Sequence, residues 1–401
     1  MTSLLSPCAM VRRVCLPLAL VLMATLGCHK KSSSTSLYVW DGTTSTVLEW
    51  NDVNALYAPV QPGAGSTTLP SADRTITATS VIGAAGAMTL GWGGMAYNTS
   101  TDTLYLVCET TGVVYVIYEA SSQSGNISSI NDITSFTLGL TADRLVAGSV
   151  FGEASVDSST NTLYVMETAP DGTSSQLWYV TTANQQVNGS TVTPAAGHTL
   201  GISGDTYGSG VVTSQSGFVY GLYGGGSPVT DLQNNSYSGP RLRQGQNNAY
   251  PTNPLNLAQG VNVLIGAATQ FYTPAPLIWG SLAYDSQNNA LYVAPEPVSS
   301  VSTQPAVLVF NQSLFYNGFN QAPTRSLTDT QATLPNLRII AHPQNADWLA
   351  GADFTADAGP LPTGTGMANL HLWKSPSGGG ASSLVTGVPG ATEIRGVAFG
   401  D

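Results

Sequence analysis

A short pattern of apolar and polar residues recurs along the chain. Its clearest copies are GSLAYDSQNNALYV at 280–293, GGMAYNTSTDTLYLV at 93–107 and GEASVDSSTNTLYV at 152–165, and weaker copies occupy 208–221 and 338–351. In each copy, a segment of small and apolar residues leads through a polar turn into a second segment that opens on Leu-Tyr or an equivalent pair. This pattern is typical of two β-strands joined by a turn. A unit of this size cannot bury its own hydrophobic face, so the copies are expected to stack on one another.

The repeats fall into six units when they are aligned on the residue that opens the second strand. The aligned residues are Leu37, Leu104, Leu163, Val219, Leu291 and Leu349. Their spacing exceeds the roughly 40–45 residues of a bare four-stranded propeller blade, and the surplus falls in loops such as 232–265. Later segments of the units, such as VVYVIYE at 113–119, alternate and are rich in β-branched and aromatic residues. The pattern therefore predicts an all-β fold, a six-bladed β-propeller over residues 36–401.

The first unit is split between the two ends of the chain. IRGVAFGD at 394–401 matches the first half of the pattern, and SLYVWDGTTSTVLEW at 36–50 supplies the second half. Pairing of the N- and C-terminal strands would remove the exposed edges that an open sheet presents. We therefore expect these strands to close the ring.

Two further regularities accompany the repeat. Small residues lie two apart in the first strands, as in Gly94 and Ala96, and therefore on one face, where we expect the strands to converge on the axis. Arginines also occur at similar places late in four units. We expect them in the outermost strands, where their side chains contact the next blade or solvent. These arginines are Arg74, Arg144, Arg241 and Arg325.

The N-terminal residues have the composition of a targeting segment. Residues 11–28, VRRVCLPLALVLMATLGC, contain two arginines, an apolar stretch and a final Gly-Cys. The apolar stretch is too short for a permanent transmembrane helix, so residues 1–28 are predicted to be a signal peptide, with the true start at Met1 or Met10. A polar tether, 29–35, follows and can reach roughly 25 Å when fully extended.

The end of this segment, TLGC, resembles the lipobox of bacterial lipoproteins, although Thr25 stands where Leu or Val is usual. The resemblance implies that Cys28 carries a lipid and anchors the protein in a membrane. No aspartate follows Cys28, which favours the outer membrane or cell surface within the cell envelope. The alternative is ordinary secretory cleavage, which would give a periplasmic or secreted protein.

The net charge of the chain limits the classes of partner that it can bind. The formal net charge is −11, with 12 Lys and Arg residues, and charged residues make up 9% of the chain. A fold this acidic repels phosphate backbones, so no nucleic-acid partner is expected. Many Ser, Thr, Asn and Gln residues give a neutral polar surface, which suits a carbohydrate or protein partner on a propeller face.

The units resemble bacterial NHL-like propellers, the group that includes TolB-like and gluconolactonase-like rings. The closest parallel is AVLVFNQSLFYNGFNQAPTRSL at 306–327, where a strand ending in Val-Phe-Asn leads through a Gly turn to Pro-x-Arg. The resemblance implies the fold more firmly than an activity. Gluconolactonase-like propellers bind a divalent cation on the axis, and Glu153 lies in a predicted inner strand. Glu393 and Arg395 lie beside another predicted inner strand. A glutamate near the axis could hold a metal, pair with arginine or line a water-filled channel.

Other candidate chemistry is sparse. Cys108 is expected to be a small buried thiol, because it lies in an apolar strand. The four histidines show no metal-ligand spacing and are expected to be packed or rim residues; they are His29, His198, His342 and His371. Short polar residues that begin three of the turns are expected to bond backbone amides two residues on. These residues are Asn98, Asp157 and Asp285.

We therefore expect a protein that is not an enzyme and has no cofactor, metal site or catalytic residue. The predicted function is a lipid-anchored, non-catalytic binding or scaffold module at the cell envelope. The alternative is a metal-dependent lactonase or hydrolase of gluconolactonase-like type that uses the central channel. A subunit of an envelope assembly, with the broad rim as its interface, is a third hypothesis.

Overall fold

The computed structural model describes residues 34–59, 69–77, 89–140, 143–192, 199–201, 204–214, 217–231, 233–246, 263–271, 280–295, 307–316, 319–327, 336–354, 369–378, 385–388 and 393–400. The predicted signal peptide 1–28 with Cys28 and most of the tether 29–35 lie outside these residues, as do His29 and His198.

The described residues form twenty-eight strands. In chain order these are β1 (Ser36–Asp41), β2 (Thr46–Trp50), β3 (Arg74–Thr77), β4 (Leu90–Asn98), β5 (Thr103–Cys108), β6 (Val113–Tyr118), β7 (Gly125–Asn126), β8 (Ile133–Leu138), β9 (Val150–Asp157), β10 (Thr162–Thr168), β11 (Ser175–Val180), β12 (Ser190–Val192), β13 (Thr199–Gly201), β14 (Asp205–Thr213), β15 (Phe218–Gly226), β16 (Val229–Thr230), β17 (Ser236–Tyr237), β18 (Arg241–Gln246), β19 (Val263–Ile265), β20 (Gly280–Asp285), β21 (Ala290–Pro295), β22 (Val307–Asn311), β23 (Arg325–Leu327), β24 (Asn336–Ala341), β25 (Trp348–Phe354), β26 (Asn369–Lys374), β27 (Val385–Gly387) and β28 (Ile394–Gly400).

These strands form six sheets of four or five strands and one two-stranded ribbon, β16–β17. From the axis outward, blade one is β28-β1-β2-β3, blade two β4-β5-β6-β8, blade three β9-β10-β11-β13, blade four β14-β15-β18-β19, blade five β20-β21-β22-β23 and blade six β24-β25-β26-β27. The inner strands contact one another in the order β28, β4, β9, β14, β20, β24 and back to β28. The prediction of an all-β six-bladed propeller is confirmed.

Helix is scarce in the described part of the chain. The α-helix α1 (Val53–Tyr57) is capped by Asp52, whose Oδ1 accepts a hydrogen bond of 2.9 Å from the amide of Asn54. Short 3₁₀ turns occupy Ala120–Ser122, Ala183–Gln185, Ala267–Thr269, Gln312–Tyr316 and Pro376–Gly378. None of the helices in the described residues has the length and apolar character needed to cross a bilayer.

The hydrophobic core is divided among the seams between blades. Six clusters of buried side chains join neighbouring blades and together fill six seams, and the cluster between blades six and one also includes Trp92 of blade two. All six residues on which the repeat was aligned are the second residue of a second strand, and each is fully buried. The recurring Leu therefore has a packing cause, because it fills a seam against the next blade.

The two terminal strands of the described chain lie side by side. β1 pairs antiparallel with β28, with Leu37 opposite Phe399 and Val39 opposite Val397, and the register shifts between Trp40 and Asp41. Every residue of β28 is buried.

Two short strands extend a blade with residues from the next part of the chain. β7 pairs parallel with β3 of blade one, and β12 pairs parallel with β8 of blade two. In each case a segment that follows the third strand of one blade covers the outer edge of the preceding blade. Edge strands otherwise present unpaired backbone groups, so these two additions protect the rim.

The arginine prediction is correct for two blades and wrong for two. Arg74 and Arg325 lie in the outermost antiparallel strands of their blades, β3 and β23. Arg241 lies in β18, the third strand of blade four, and Arg144 lies beyond β8 in no strand. The similar local sequences occur at different depths because the connections between strands vary in length.

The small residues of the inner strands permit close approach of neighbouring blades. A Cβ atom added at Gly91 in β4 would lie 2.1 Å from the carbonyl oxygen of Phe151 in β9. Because a backbone atom cannot move aside as a side-chain atom can, the added Cβ forces β4 and β9 apart. We expect Gly91→Ala to destabilise the fold by about 2–3 kcal/mol.

The matched control is Gly152→Ala in β9, where the nearest atom to an added Cβ is 3.8 Å away. We expect it to be neutral or slightly stabilising, since alanine replaces a glycine without a clash. Urea unfolding followed by circular dichroism measures both variants. Equal midpoints for the two variants would show that the seams are not tightly packed.

Candidate functional site

The inner strands surround a cavity of about 110 Å³ on the axis of the ring. It is lined by the carboxyl-terminal halves of the inner strands of all six blades and by the turns that follow five of them. The space admits several water molecules, but it is below the roughly 300–1,000 Å³ of a pocket for a whole drug-sized ligand. The cavity therefore suits a small group, or the end of a larger ligand.

Two buried carboxyl groups line this cavity, Glu153 and Asp157, and the first of them links four blades. Glu153 of β9 accepts hydrogen bonds at Oε2 from the amides of Val211 in β14, at 2.7 Å, and Leu282 in β20, at 3.2 Å. Its Oε1 is bonded to the hydroxyl of Ser281, which accepts a bond of 2.9 Å from the amide of Ile340 in β24. Glu153 is thus in the inner strand, as predicted, but it is bonded to backbone amides and a serine.

Burial raises the pKa of Glu153 well above its ordinary value, and the hydrogen bonds from Ser281, Val211 and Leu282 only partly oppose this. Oε2 accepts from two amide N–H groups and Oε1 accepts from the Ser281 hydroxyl, so these donors favour the charged form while burial favours the neutral acid. A buried carboxyl with a raised pKa beside a cavity is a candidate general acid.

This raised pKa makes stability depend on pH. Above the ordinary pKa of 4.5 the unfolded chain loses a proton that the folded chain keeps. The stability of the wild type therefore falls as the pH rises from 4.5 towards the raised pKa of Glu153 in the folded state. Glu153→Gln keeps the shape of the neutral acid and cannot ionise. We expect its stability relative to wild type to increase with pH above 4.5, by at most about 1.4 kcal/mol per pH unit.

Urea midpoints of wild type and Glu153→Gln between pH 4 and pH 9 measure the effect. A constant difference between the two proteins across this range would show that Glu153 is ionised in the folded state.

One mouth of the cavity is bridged by a glutamine. Gln344, in the turn after β24, accepts a bond of 2.8 Å from Thr99 Oγ1 in blade two and donates one of 3.0 Å to Ser158 Oγ in blade three. Its backbone carbonyl accepts a bond of 3.0 Å from Ser286 Oγ in blade five. Neutral hydroxyl and amide groups from four blades therefore converge at this mouth.

The opposite ends of the inner strands carry charged groups. Arg395 of β28 donates to Glu109 Oε2 at 3.0 Å and to Glu393 Oε1 at 2.7 Å, and its guanidinium lies 4.2 Å from the centre of the Trp92 ring. Burial raises the pKa of Glu109, and Arg395 opposes the shift. Of the readings left open for Glu393, the structure shows pairing with arginine.

The turns behave as predicted from their first residues. Asn98 accepts from the amide of Ser100, Asp157 from that of Ser159 and Asp285 from that of Gln287, at 2.9 to 3.0 Å. Cys108 is buried, as predicted, and burial raises the pKa of its thiol to about 11.

The two described histidines are both buried side chains. His371 in β26 stacks on Trp373, and His342 after β24 stacks on Tyr292 with ring centres 5.3 Å apart. His342 also lies near two carboxylates, Asp285 and Asp347, in the one cluster of potential metal ligands found among the described residues. Burial lowers the pKa of His342, and Asp285 opposes the shift. This cluster was missed in the sequence analysis, because its members come from two blades and have no ligand spacing along the chain.

Comparison with known proteins gives similarity of structure only. No protein-family model matches the chain, and no curated protein is significantly similar to it in sequence. Hydrazine synthase from Kuenenia stuttgartiensis aligns with a TM-score of 0.43 at 11% identity, over 79% of this chain and 77% of that chain.

Two further solved structures are similar. A gluconolactonase from Xanthomonas campestris has a TM-score of 0.38 at 13% identity, over 76% of this chain and 78% of that chain. Regucalcin, a calcium-binding protein from Agrobacterium tumefaciens, has a TM-score of 0.38 at 10% identity, over 76% of this chain and 77% of that chain. These likenesses concern the propeller fold alone. NHL-like or TolB-like lipoprotein membership stays a prediction.

The prediction that the protein is not an enzyme is wrong. The similar solved propellers include a gluconolactonase, so the fold and the missing sequence motifs give no ground for ruling out catalysis. A search for local sequence motifs does not reveal a catalytic site in a propeller, because such a site is assembled from residues of separate blades.

Proposed function

We propose that the protein is a cell-envelope propeller that binds a neutral polar ligand, the end of a carbohydrate, at the Gln344 mouth of the axial cavity. The observation that carries this proposal is the convergence of Gln344, Thr99, Ser158 and Ser286 from four blades on one small opening. Hydroxyl and amide groups both donate and accept hydrogen bonds, as sugar hydroxyls require of a binding site.

The charge and size of the site support this class of ligand. The four side chains that meet at the mouth carry no charge, and the carboxyl group of Asp157 also lines the cavity, which disfavours phosphate as a ligand. The cavity of about 110 Å³ is too small for a long chain but takes the end of one. Gln344 is half-buried and bridges the opening, so a ligand must replace its bonds to Thr99 and Ser158.

A glycan array probed with the full-length chain in mild detergent, followed by calorimetric titration of the best sugar, tests the proposal. We expect Gln344→Ala to weaken binding by about tenfold, the effect of losing a hydrogen bond or two. Gln185→Ala, an exposed glutamine that does not line the cavity, is the matched control and should bind normally. Sugar binding that is equally strong in both variants would place the site elsewhere, and a protein bound in place of sugars would overturn the ligand class.

We also propose that a lipid on Cys28 anchors the protein at the outer membrane or cell surface. The support is the TLGC sequence after an apolar segment, followed by the polar tether 29–35. Growth with labelled palmitate should label wild type and leave Cys28→Ala unlabelled. Cell fractionation of the same two strains should move the variant from the membrane to the soluble fraction. Label that persists in the variant would refute the anchor.

A second candidate is a hydrolase, including a lactonase, that uses the axial channel. The observation that favours it is Glu153, whose carboxyl group lines the cavity and whose pKa is raised by burial, as a proton donor requires. Lactone and glycoside hydrolysis by wild type, at least about a hundredfold faster than by Glu153→Gln, would support this candidate. Equal rates in the two proteins, or none in either, would remove it.

We infer finally that pairing of β1 with β28 is what closes the ring. The support is the register of the pair and the position of β28 residues in the clusters on both sides of blade one.

A further inference from the structure

Three potential metal ligands meet where blade five faces blade six. Asp285 is the last residue of β20, while His342 and Asp347 belong to the turn between β24 and β25. Each offers one ligand atom, and the three atoms lie within 4.8 Å of one another. The turn of blade six thus places an imidazole and a carboxylate against the carboxylate of blade five.

The bonding of the His342 ring favours a cation beside its second nitrogen, Nε2. Its Nδ1 lies 2.6 Å from the carbonyl oxygen of Pro343, and because a carbonyl only accepts, Nδ1 carries the proton. The side chain is 1% exposed, and Nε2 has no hydrogen-bond partner among the described residues. Nε2, which carries the lone pair, lies 3.7 Å from Asp285 Oδ2, which is too far for a hydrogen bond. Lone pair and carboxylate repel each other unless a cation lies between them.

The surrounding bonds hold the ligands in place. Asp285 Oδ2 accepts from Asn288 Nδ2 at 2.8 Å, and Asp347 Oδ1 accepts from the amide of Ser377 at 3.0 Å. A metal-binding histidine typically donates its second ring N–H to a backbone carbonyl or carboxylate, as His342 does to Pro343. Each carboxylate oxygen retains a lone pair for a metal, since one oxygen can accept more than one bond.

We propose that Asp285, His342 and Asp347 bind one divalent transition-metal ion, zinc or a first-row neighbour, that joins blade five to blade six. One nitrogen and two oxygen ligands suit zinc, with water in the fourth position, whereas calcium takes about six to eight oxygens. Zinc–ligand distances of about 2.0–2.2 Å need the two carboxylates to move inward by less than about 1 Å. His342 also lines the axial cavity, but none of the three ligands is among the side chains that meet at the Gln344 mouth.

Tag-free, full-length protein in mild detergent is stripped with a chelator and titrated with Zn²⁺ by calorimetry, and bound metal is counted by mass spectrometry. We expect one zinc per chain and a thermal midpoint that rises on adding zinc. Asp347→Asn and His342→Gln should each weaken zinc binding at least tenfold and abolish the rise. Asp157→Asn, the matching turn carboxylate of blade three, should leave both unchanged.

Circular dichroism establishes which variants are folded. If His342→Gln does not fold, Asp347→Asn alone tests the proposal. Zinc that fails to bind the folded wild type would overturn the proposal. Equal binding by wild type and a folded Asp347→Asn or His342→Gln would also overturn it, because the ion would then lie elsewhere.

Discussion

Asp205→Ala is expected to destabilise the propeller by about 3–5 kcal/mol, a large share of the roughly 5–15 kcal/mol that holds a typical domain folded. Asp205 opens β14 and is buried, as are its two partners in β18. Arg243 Nη2 donates to Asp205 Oδ1 at 2.8 Å, and Arg241 Nη1 lies 3.3 Å from the same oxygen. Burial lowers the pKa of Arg241, which shows how strongly its charge depends on a nearby anion. Removing the carboxylate leaves two cations away from water.

A double-mutant cycle tests whether this loss comes from the buried charges. In Asp205→Ala/Arg243→Leu, Arg241 keeps its bond of 2.7 Å to the carbonyl of Ser227, so the double variant should be more stable than the summed single losses by about 1–3 kcal/mol. Asp132→Ala removes a half-buried carboxylate without an ion pair in the described part of the chain and should cost about 0.5 kcal/mol or less. Urea unfolding at pH 7 measures all four variants. A small loss in Asp205→Ala would show that water reaches the two arginines.

The architecture was readable from the sequence because the repeat records a packing requirement. Leu104 and Leu163 occupy the same place in successive blades, and both are fully buried in seams. A residue that recurs for a physical reason can be aligned without an homologue. Arg144 and Arg241 recur in similar local sequences without a shared environment, so aligning them with Arg74 misplaced them.

The candidate sites were much less accessible to sequence analysis. Glu153 was placed in an inner strand, but its partners, Val211 and Leu282, come from two other blades. Asp285 and His342 likewise lie on different blades, and the spacing between ligands along the chain carries no signal when the ring brings them together. The turn position of Asp285 did not indicate a metal site, because its hydrogen bonds from the amides of Gln287 and Asn288 already account for a carboxylate there.

A chain that lacks residues 394–401 is expected not to fold. β28 provides the inner strand of blade one, and its removal takes Ile394, Val397 and Phe399 from the seam with blade six and Ala398 from the seam with blade two. Burying each large side chain contributes about 1.5–3 kcal/mol, and the exposed edge of β1 adds unpaired backbone groups. The combined loss approaches the whole stability of a domain. Refolding from urea, followed by circular dichroism and size-exclusion chromatography, should show no cooperative transition and aggregated protein.

Supplying the missing strand separately distinguishes closure from a general effect of truncation. A synthetic peptide of residues 393–401 can restore the pairs Leu37–Phe399 and Val39–Val397 without a covalent link to the rest of the ring. We expect this peptide, but not one of the same composition in scrambled order, to restore a cooperative transition during refolding. Because β1 pairs with β28 along its whole length, the alternation of its side chains sets one register, and a one-residue slip would turn Val397 away from its seam. A truncated chain that unfolds cooperatively without the peptide would mean that the remaining five blades hold together as an open ring, and that the terminal strands do not close it.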